Sequence, residues 1–324
     1  MENNIVNILI VGAGQIGSRH LQGAVKIKNQ LSITVVDISS IALKLSQNIV
    51  KKKTFGNPHT TVTYKKKLPK NESFDILIIS TNADIRAKIT SDLLINCNFK
   101  YIVFEKVLFQ KEADFENLSN MLDDKDVSAW VNCPRRTYSV YQEIKKTIDI
   151  NIPIKMDVSG SSWGMACNAI HFIDLFSYLA NDSSLKIAKS NFSENIFKSK
   201  RGDNFYEMNG LMKCVIGKHS LLISCDQNKD PSLNIKIKNG KIKNSIDETK
   251  EIWMNNTNGL INSKKISIPY QSNQTEKLIN SIINKKCRLV SFEDSCKHHI
   301  PLLTVIREHV SKILNKELTE CPIT

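Results

Sequence analysis

The chain has 324 residues, 41% of them hydrophobic and 24% charged, with a formal net charge of +13. That length suits two domains, and the composition excludes disordered and collagen-like chains. No apolar run is long enough to cross a bilayer, and Met1-Glu2-Asn3-Asn4 lacks a basic start followed by an apolar stretch, so no secretory signal or membrane association is expected and the expected location is cytoplasmic.

Residues 5–11 form a β-branched, mostly apolar run that reads as a buried parallel strand. Gly12-Ala13-Gly14-Gln15-Ile16-Gly17 follows, and then the first turns of a helix. A second β-branched run, Ile33-Thr34-Val35-Val36, ends in Asp37, twenty positions after Gly17. This is the order and spacing of a dinucleotide-binding βαβ unit. The first glycine permits the tight turn, the second admits the pyrophosphate, the third lets helix and strand pack closely, and the acid accepts hydrogen bonds from the ribose. Gly12, Gly14, Gln15, Ile16, Gly17 and Asp37 are therefore the first cofactor-binding candidates.

Strand and helix continue to alternate. Ser39 or Ser40 caps a helix to about residue 50, a turn is expected at Gly56-Asn57-Pro58, and strands follow at 61–64, 74–80, 101–104 and 128–132. Helices at 85–96 and 112–122 separate the later strands, which gives a doubly wound parallel sheet. In such sheets ligands bind at the carboxyl ends of the strands, so Gly12, Asp37, Ser80-Thr81, Glu105-Lys106 and Asn132 should share one crevice.

After Arg135-Arg136 the character changes. A helix is expected over 138–148, a strand over 154–160, and a helix over 168–179 with Ala169, Ile170, Phe172, Ile173 and Phe176 apolar and His171 on or near that side. Short alternating runs occupy 185–268, with Asn239-Gly240 as a hairpin signal, and helices at 275–284 and 293–314 close the chain. The expected fold is an α/β N-terminal Rossmann domain over 1–133, followed over 134–324 by a second, α+β domain.

Eight scattered cysteines with no C-x-x-C pair read as reduced core fillers. His298-His299 with Cys296 reads as a helix surface, and no metal site is expected. The lysines fall in small separate groups, among them Lys236, Lys238, Lys241 and Lys243, with no interleaved aromatics. They read as solvated faces, so no nucleic-acid partner is expected.

Five short motifs in order resemble the glucose–fructose oxidoreductase/inositol dehydrogenase (Gfo/Idh/MocA-like) family of NAD(P)-dependent oxidoreductases. They are Gly17-Ser18-Arg19-His20, Glu105-Lys106-Val107, Asn132-Cys133-Pro134-Arg135-Arg136, Cys167-Asn168-Ala169-Ile170-His171-Phe172-Ile173-Asp174 and Ser291-Phe292-Glu293-Asp294-Ser295. Two positions depart from the family pattern: Val107 replaces its proline, and Cys167 stands where many relatives carry an aspartate of their Lys, Asp and His catalytic group.

The resemblance implies hydride transfer between NAD and a hydroxyl or keto carbon of a sugar, cyclitol or nucleotide sugar. Lys106 would stabilise the alkoxide and His171 would act as general base. Asp37 favours NAD over NADP, since no arginine follows it to accommodate a 2′-phosphate. Ser80, Thr81, Asn82, Glu105 and Lys106 join the cofactor candidates. The substrate candidates are Asn132, Arg135, Arg136, Trp163, Asn168 and Asp174. The arginines read equally as anion binders or as surface residues at a helix start, Trp163 as a sugar platform or a core residue, and Asp174 as orienting. A basic surface would attract an acidic, sugar-like substrate. The resemblance also implies that 134–324 carries a largely antiparallel open sheet for substrate binding and oligomerisation, with one face against helices and the other available for self-association, so a homodimer or homotetramer is expected. The alternative is a dinucleotide-binding relative that has lost turnover and serves a regulatory or binding role.

Overall fold

The computed structural model describes residues 5–52, 60–227 and 230–324. The turn expected at Gly56-Asn57-Pro58 and the first four residues lie outside the described residues. In chain order the first half runs β1 (Val6–Val11), α1 (Gln15–Ala24), β2 (Leu31–Val36), α2 (Ser40–Lys52), β3 (Thr60–Lys65), β4 (Ser73–Ile79), α3 (Ala83–Asn96), β5 (Asn98–Phe104), α4 (Glu112–Asp124) and β6 (Ser128–Val131). A 3₁₀ turn, Pro134–Thr137, leads to α5 (Ser139–Thr147), β7 (Ile154–Ser161) and α6 (Met165–Ala180). Then follow β8 (Lys186–Phe192), β9 (Phe197–Ser199), β10 (Gly202–Glu207), β11 (Gly210–Ile216), β12 (His219–Cys225) and β13 (Ser232–Asn239). The chain ends with β14 (Ile242–Asp247), β15 (Ile252–Thr257), β16 (Leu260–Lys265), α7 (Gln271–Ile283), β17 (Val290–Ser291) and α8 (Phe292–Leu314).

Two compact units emerge. The first comprises Met1–Phe109, Ala113–Asn132 and Pro269–Phe292, and the second Gln110–Glu112, Cys133–Ile268 and Glu293–Thr324. The chain leaves the first unit after Asn132, but α7 and β17 return to it, which a single boundary at 133 does not allow for. The reason lies in small residues. Gly23 of α1 lies so close to α7 that a Cβ there would sit 2.6 Å from Thr275 Cβ and 2.8 Å from the Ser272 carbonyl.

The first unit holds a seven-stranded sheet in the order β17-β6-β5-β4-β1-β2-β3, parallel except for β17, which pairs antiparallel with β6. Ile8, Ile10, Ile33, Val35, Ile76 and Ile78 are buried in its core cluster, joined by Leu278, Ile279 and Ile282 of α7. β-branched residues on adjacent strands fill both faces of such a sheet, and α7 helps cover one.

The second unit holds an eight-stranded sheet in the order β16-β15-β14-β13-β7-β12-β11-β8, antiparallel except at β7–β12. Strict alternation makes one face apolar: Met156, Val158, Leu221, Ile223, Ile235 and Ile237 are buried. The apolar residues of α6 pack here, with Ala169, Ile170, Phe172, Ile173 and Phe176 all essentially inaccessible. Gly240 takes positive φ in the hairpin between β13 and β14, the conformation that Asn-Gly favours.

The His298-His299 pair is the clearest departure from expectation. Both rings are fully buried rather than on a helix surface. They extend the stripe of Leu302, Leu303, Ile306 and Val310, so α8 has a wide buried face that accepts adjacent residues. All eight cysteines are free thiols, and among the described residues no cluster of ligands could hold a metal. No described helix is long and apolar enough to cross a membrane.

Candidate cofactor and substrate sites

In the first unit, backbone hydrogen bonds line up the strand ends. Asp37 N–H donates to Lys65 O (3.2 Å), Gly12 to Val36 (2.8 Å), Ser80 to Val11 (2.8 Å), Glu105 to Ile79 (3.0 Å) and Asn132 to Phe104 (2.8 Å). The carboxyl ends of β3, β2, β1, β4, β5 and β6 therefore form one continuous edge, and the expected loops lie along it.

The glycines of the first loop differ in their surroundings. Gly12 has φ +96°, a conformation that other residues rarely adopt. A Cβ on Gly17 would lie 1.8 Å from the Gly12 carbonyl oxygen, so only glycine lets α1 meet this turn. A Cβ on Gly14 would have no neighbour within 4 Å, which leaves that backbone open to an incoming group. Gln15 is exposed and Ile16 half-buried beside it. Asp37 ties the loop to the second strand: Oδ2 accepts from Ala13 N–H at 2.7 Å and Oδ1 from Ser39 N–H at 2.8 Å.

Ser80 Oγ donates within reach of the Val11 and Gly12 carbonyls, both at 2.9 Å. Thr81 Oγ1 is buried with no hydrogen-bond partner among the described residues, and Asn82 is the N-cap residue of α3. Open space at Gly14, an orphaned hydroxyl at Thr81 and the carboxylate of Asp37 fit a dinucleotide at this edge.

Lys106 is only 8% exposed, not a surface lysine. Its neighbour Glu105 is held by a buried network that sequence reading did not reveal. His20 Nε2 lies 2.8 Å from Glu105 Oε1, and Asn132 Nδ2 donates to the same oxygen at 2.5 Å. Asn132 also donates to Gln271 Oε1 at 2.9 Å, and His20 Nδ1 meets Thr275 Oγ1 at 3.0 Å. Burial works to raise the Glu105 carboxyl, but His20, Asn132 and the Lys106 charge hold it below the usual carboxylate range. An ionised carboxylate only accepts, so His20 Nε2 carries the proton.

Arg86 was also missed. Its buried guanidinium donates to the carbonyls of Thr81, Glu105, Val107 and Leu108. It thereby fixes the backbone on both sides of Lys106, whose peptide to Val107 is cis. An arginine on a helix carries no sequence signal for this task.

In the second unit, Asn168 and His171 are three residues apart on α6 and both half-buried, so they share one helix face. Cys167 is 7% exposed, one turn before His171. Gly164, with φ +73°, opens this helix without a side-chain cap. Glu207 of β10 replaces the cap: its carboxylate accepts from Ala166 N–H (2.9 Å) and Cys167 N–H (3.2 Å), an anion at the positive end of the helix. Asn168 Nδ2 donates to Trp163 O at 2.7 Å. Trp163 stands edge-on to Phe172, with centroids 5.4 Å apart, and donates from Nε1 to Ser224 O at 3.3 Å.

Both junction arginines are held by internal carboxylates. Arg135 forms a fork on Glu248 (3.1 and 2.7 Å), to which Tyr141 Oη also donates at 2.6 Å. Arg136 forms another on Asp174 (3.0 and 2.7 Å). Against burial, which works to lower it, Asp174 holds the Arg136 guanidinium charged, above its usual value. These forks give Arg135, Arg136 and Asp174 an internal orienting role in the structure.

Residues 6–133 match the family described as GFO_IDH_MocA, an oxidoreductase family with an NAD-binding Rossmann fold. No curated protein matches the sequence. Among solved structures the chain resembles a dehydrogenase (MviM) from Clostridium difficile at 14% identity and a TM-score of 0.70, covering 94% of this chain and 99% of that one. It resembles KijD10, a 3-ketoreductase from Actinomadura kijaniata in complex with NADP, at 10% identity and 0.70, covering 94% and 98%. An oxidoreductase from Agrobacterium radiobacter in complex with NAD+, L-tartaric acid and magnesium matches at 11% identity and 0.69, covering 92% and 94%. At such identities these structures establish the fold. Residues 6–133 thus match a model of NAD-binding oxidoreductases, and the solved structures share the fold over nearly the whole chain.

Proposed function

We propose that the protein is an NAD-dependent oxidoreductase that moves a hydride between the nicotinamide and a hydroxyl or keto carbon of a sugar, cyclitol or nucleotide sugar. The observation that carries this reading is the buried Lys106 at the carboxyl end of β5, on the edge that also bears the glycine loop and Asp37. When bound, the cofactor supplies the hydride acceptor.

The chain's own residues do the rest. The loop of Gly12, Gly14 and Gly17, with Gln15 and Ile16, receives the pyrophosphate, and Asp37 accepts the ribose hydroxyls. The Asp37 carboxylate repels a 2′-phosphate, which favours NAD over NADP. Ser80, Thr81 and Asn82 line the nicotinamide end. The Lys106 ammonium stabilises negative charge on the substrate oxygen, and Glu105 orients Lys106 through its fixed backbone. His171 accepts the hydroxyl proton, an imidazole being suited to this near neutral pH. Asn168 and Trp163 offer the substrate polar and aromatic contacts.

The test has two stages. NADH binding, followed by its fluorescence, should be tight and should weaken on Asp37→Ala, while NADPH binding improves relative to it. A panel of sugars, cyclitols and nucleotide sugars should then yield reduced nicotinamide. Failure to bind either dinucleotide overturns the reading. Binding without turnover of any panel member favours a dinucleotide-binding role instead, a reading that the cysteine at position 167 supports.

A further inference from the structure

Gly164, Cys167, Asn168 and His171 follow one another at helical spacing along one face of α6. No acid stands among them, yet a carboxylate sits at the head of this stripe. The bare side of Gly164 locates it: a Cβ there would lie 3.4 Å from Glu207 Oε1, 3.5 Å from Cys167 Sγ and 3.2 Å from Asn168 Nδ2. One point is thus bordered by the carboxylate of β10, the thiol and the amide. Glu207 is buried, and its two oxygens accept from the Ala166 and Cys167 N–H groups, so its charge is fixed in place.

That charge is felt beyond the helix. Burial above all raises the Cys225 thiol, the backbone of Trp163 and Ser162 opposes the rise, and the Glu207 carboxylate adds to it. The other charges around α6 are held elsewhere. Arg135 and Arg136 of the 3₁₀ turn are forked on Glu248 and Asp174, and Asp294 of α8 acts further along the helix, on Asp174 and Arg136. β7, β11 and β12 pack on α6 through apolar side chains and the thiols of Cys214 and Cys225, the first pushed up to about 12 by burial. Side chains of an α-helix lean toward its N-terminus, so His171 projects toward the turn of Cys167 and Asn168, at whose head Glu207 stands.

We infer that Glu207 is a positioning residue for the proton acceptor: its carboxylate, delivered from β10, holds the start of α6 and raises the proton affinity of the His171 imidazole. The inference rests on His171 being the base of the proposed reaction. Cys167 brings no carboxylate to this face, and β10 does.

Glu207→Gln keeps the size of the side chain and one accepting oxygen while removing the charge. In the full chain, with no ligand added, the imidazole carbons of the seven histidines are followed by NMR against pH, His171 being the resonance lost in His171→Ala. Its titration midpoint should fall by about half a pH unit or more in Glu207→Gln, because the imidazolium loses an attractive charge. Adding Cys167→Asp to that variant should restore most of the shift. The acid limb of kcat/KM should move to lower pH by a similar amount, with NADH affinity within about twofold of the parent.

A purely structural cap would lower Tm, and kcat/KM at every pH, while leaving both midpoints in place; that result overturns the inference. If Glu207→Gln does not fold, Glu207→Asp withdraws the carboxylate by one methylene and should lower the midpoint by about a quarter of a unit. An unmoved midpoint there overturns the inference too. The titration needs no turnover, so a chain that oxidises no sugar refutes the proposed reaction and leaves this measurement to decide on Glu207.

Discussion

His20 Nε2 and Glu105 Oε1 lie 2.8 Å apart although 85 residues separate them in sequence, and both side chains are buried. The pair connects the helix after the glycine loop to the residue that precedes Lys106. Glu105→Ala would leave His20 and Asn132 without their shared acceptor, and should cost roughly 2–4 kcal/mol in urea unfolding. Because its folded carboxyl is held below the ordinary 4.5, Glu105 stabilises the fold above that pH, and the contribution is lost as pH falls through the folded value. Glu105→Gln should remove this acid-side loss, and an unchanged slope below pH 4.5 would show that the carboxylate is not held as described.

Gly14 and Gly17 offer a sharper contrast. At Gly17 an added methyl meets the Gly12 carbonyl at 1.8 Å, backbone against backbone, so Gly17→Ala should cost about 3 kcal/mol or more. At Gly14 there is open space, and its φ of −64° suits alanine. Gly14→Ala should therefore melt like the parent while binding NADH at least about tenfold more weakly, since the methyl enters the space proposed for the pyrophosphate. Equal NADH affinity in this variant would remove the pyrophosphate from that loop.

His298 gives a pH dependence in a different window. Burial above all, with the Arg136 charge and Lys297 assisting and Asp294 opposing, pushes its imidazole down from 6.5 to about 4. The unfolded chain takes up this proton near pH 6.5 and the folded chain only near 4, so stability falls as pH drops between those values. The loss amounts to roughly 3 kcal/mol in total. Neither ring nitrogen has a hydrogen-bond partner among the described residues, so His298→Leu should be near neutral or stabilising at pH 7 and should flatten the slope. Chemical unfolding at a series of pH values checks both points, and an undiminished slope in the variant would rule out His298 as its source.

The parallel strands and the glycine loop were legible because apolar β-branched runs and a Gly-x-Gly-x-x-Gly turn are local signals. What escaped notice depends on distant partners. Glu207 and Glu248 look like surface acids until α6 and Arg135 lie beside them. Gln271 and Thr275 belong to a helix whose place in the first unit is set by close packing on Gly23, which no periodicity announces. The adjacent histidines of α8 read as surface because a narrow helical stripe would not bury both neighbours; the stripe here is wide.

Lys106 and His171 bear the proposed chemistry, and their variants, together with one at Cys167, separate its parts. Lys106→Ala removes the charge opposite the developing alkoxide and should lower kcat/KM by about a hundredfold or more. His171→Ala removes the proton acceptor and should lower it by roughly 10²–10⁴. NADH affinity should stay near that of the parent in both, because the glycine loop and Asp37 are untouched. Cys167 is one helical turn from His171, with its backbone N–H already bonded to Glu207. Cys167→Asp adds a carboxylate one turn from the imidazole, where it can stabilise the protonated ring. If His171 is the base, this variant should raise turnover and move the acid limb of the kcat/KM profile to higher pH, since the imidazolium gains a partner. The same substitution combined with His171→Ala should produce neither change. Full activity in His171→Ala would assign the proton to another group, whatever the fate of the Lys106 variant.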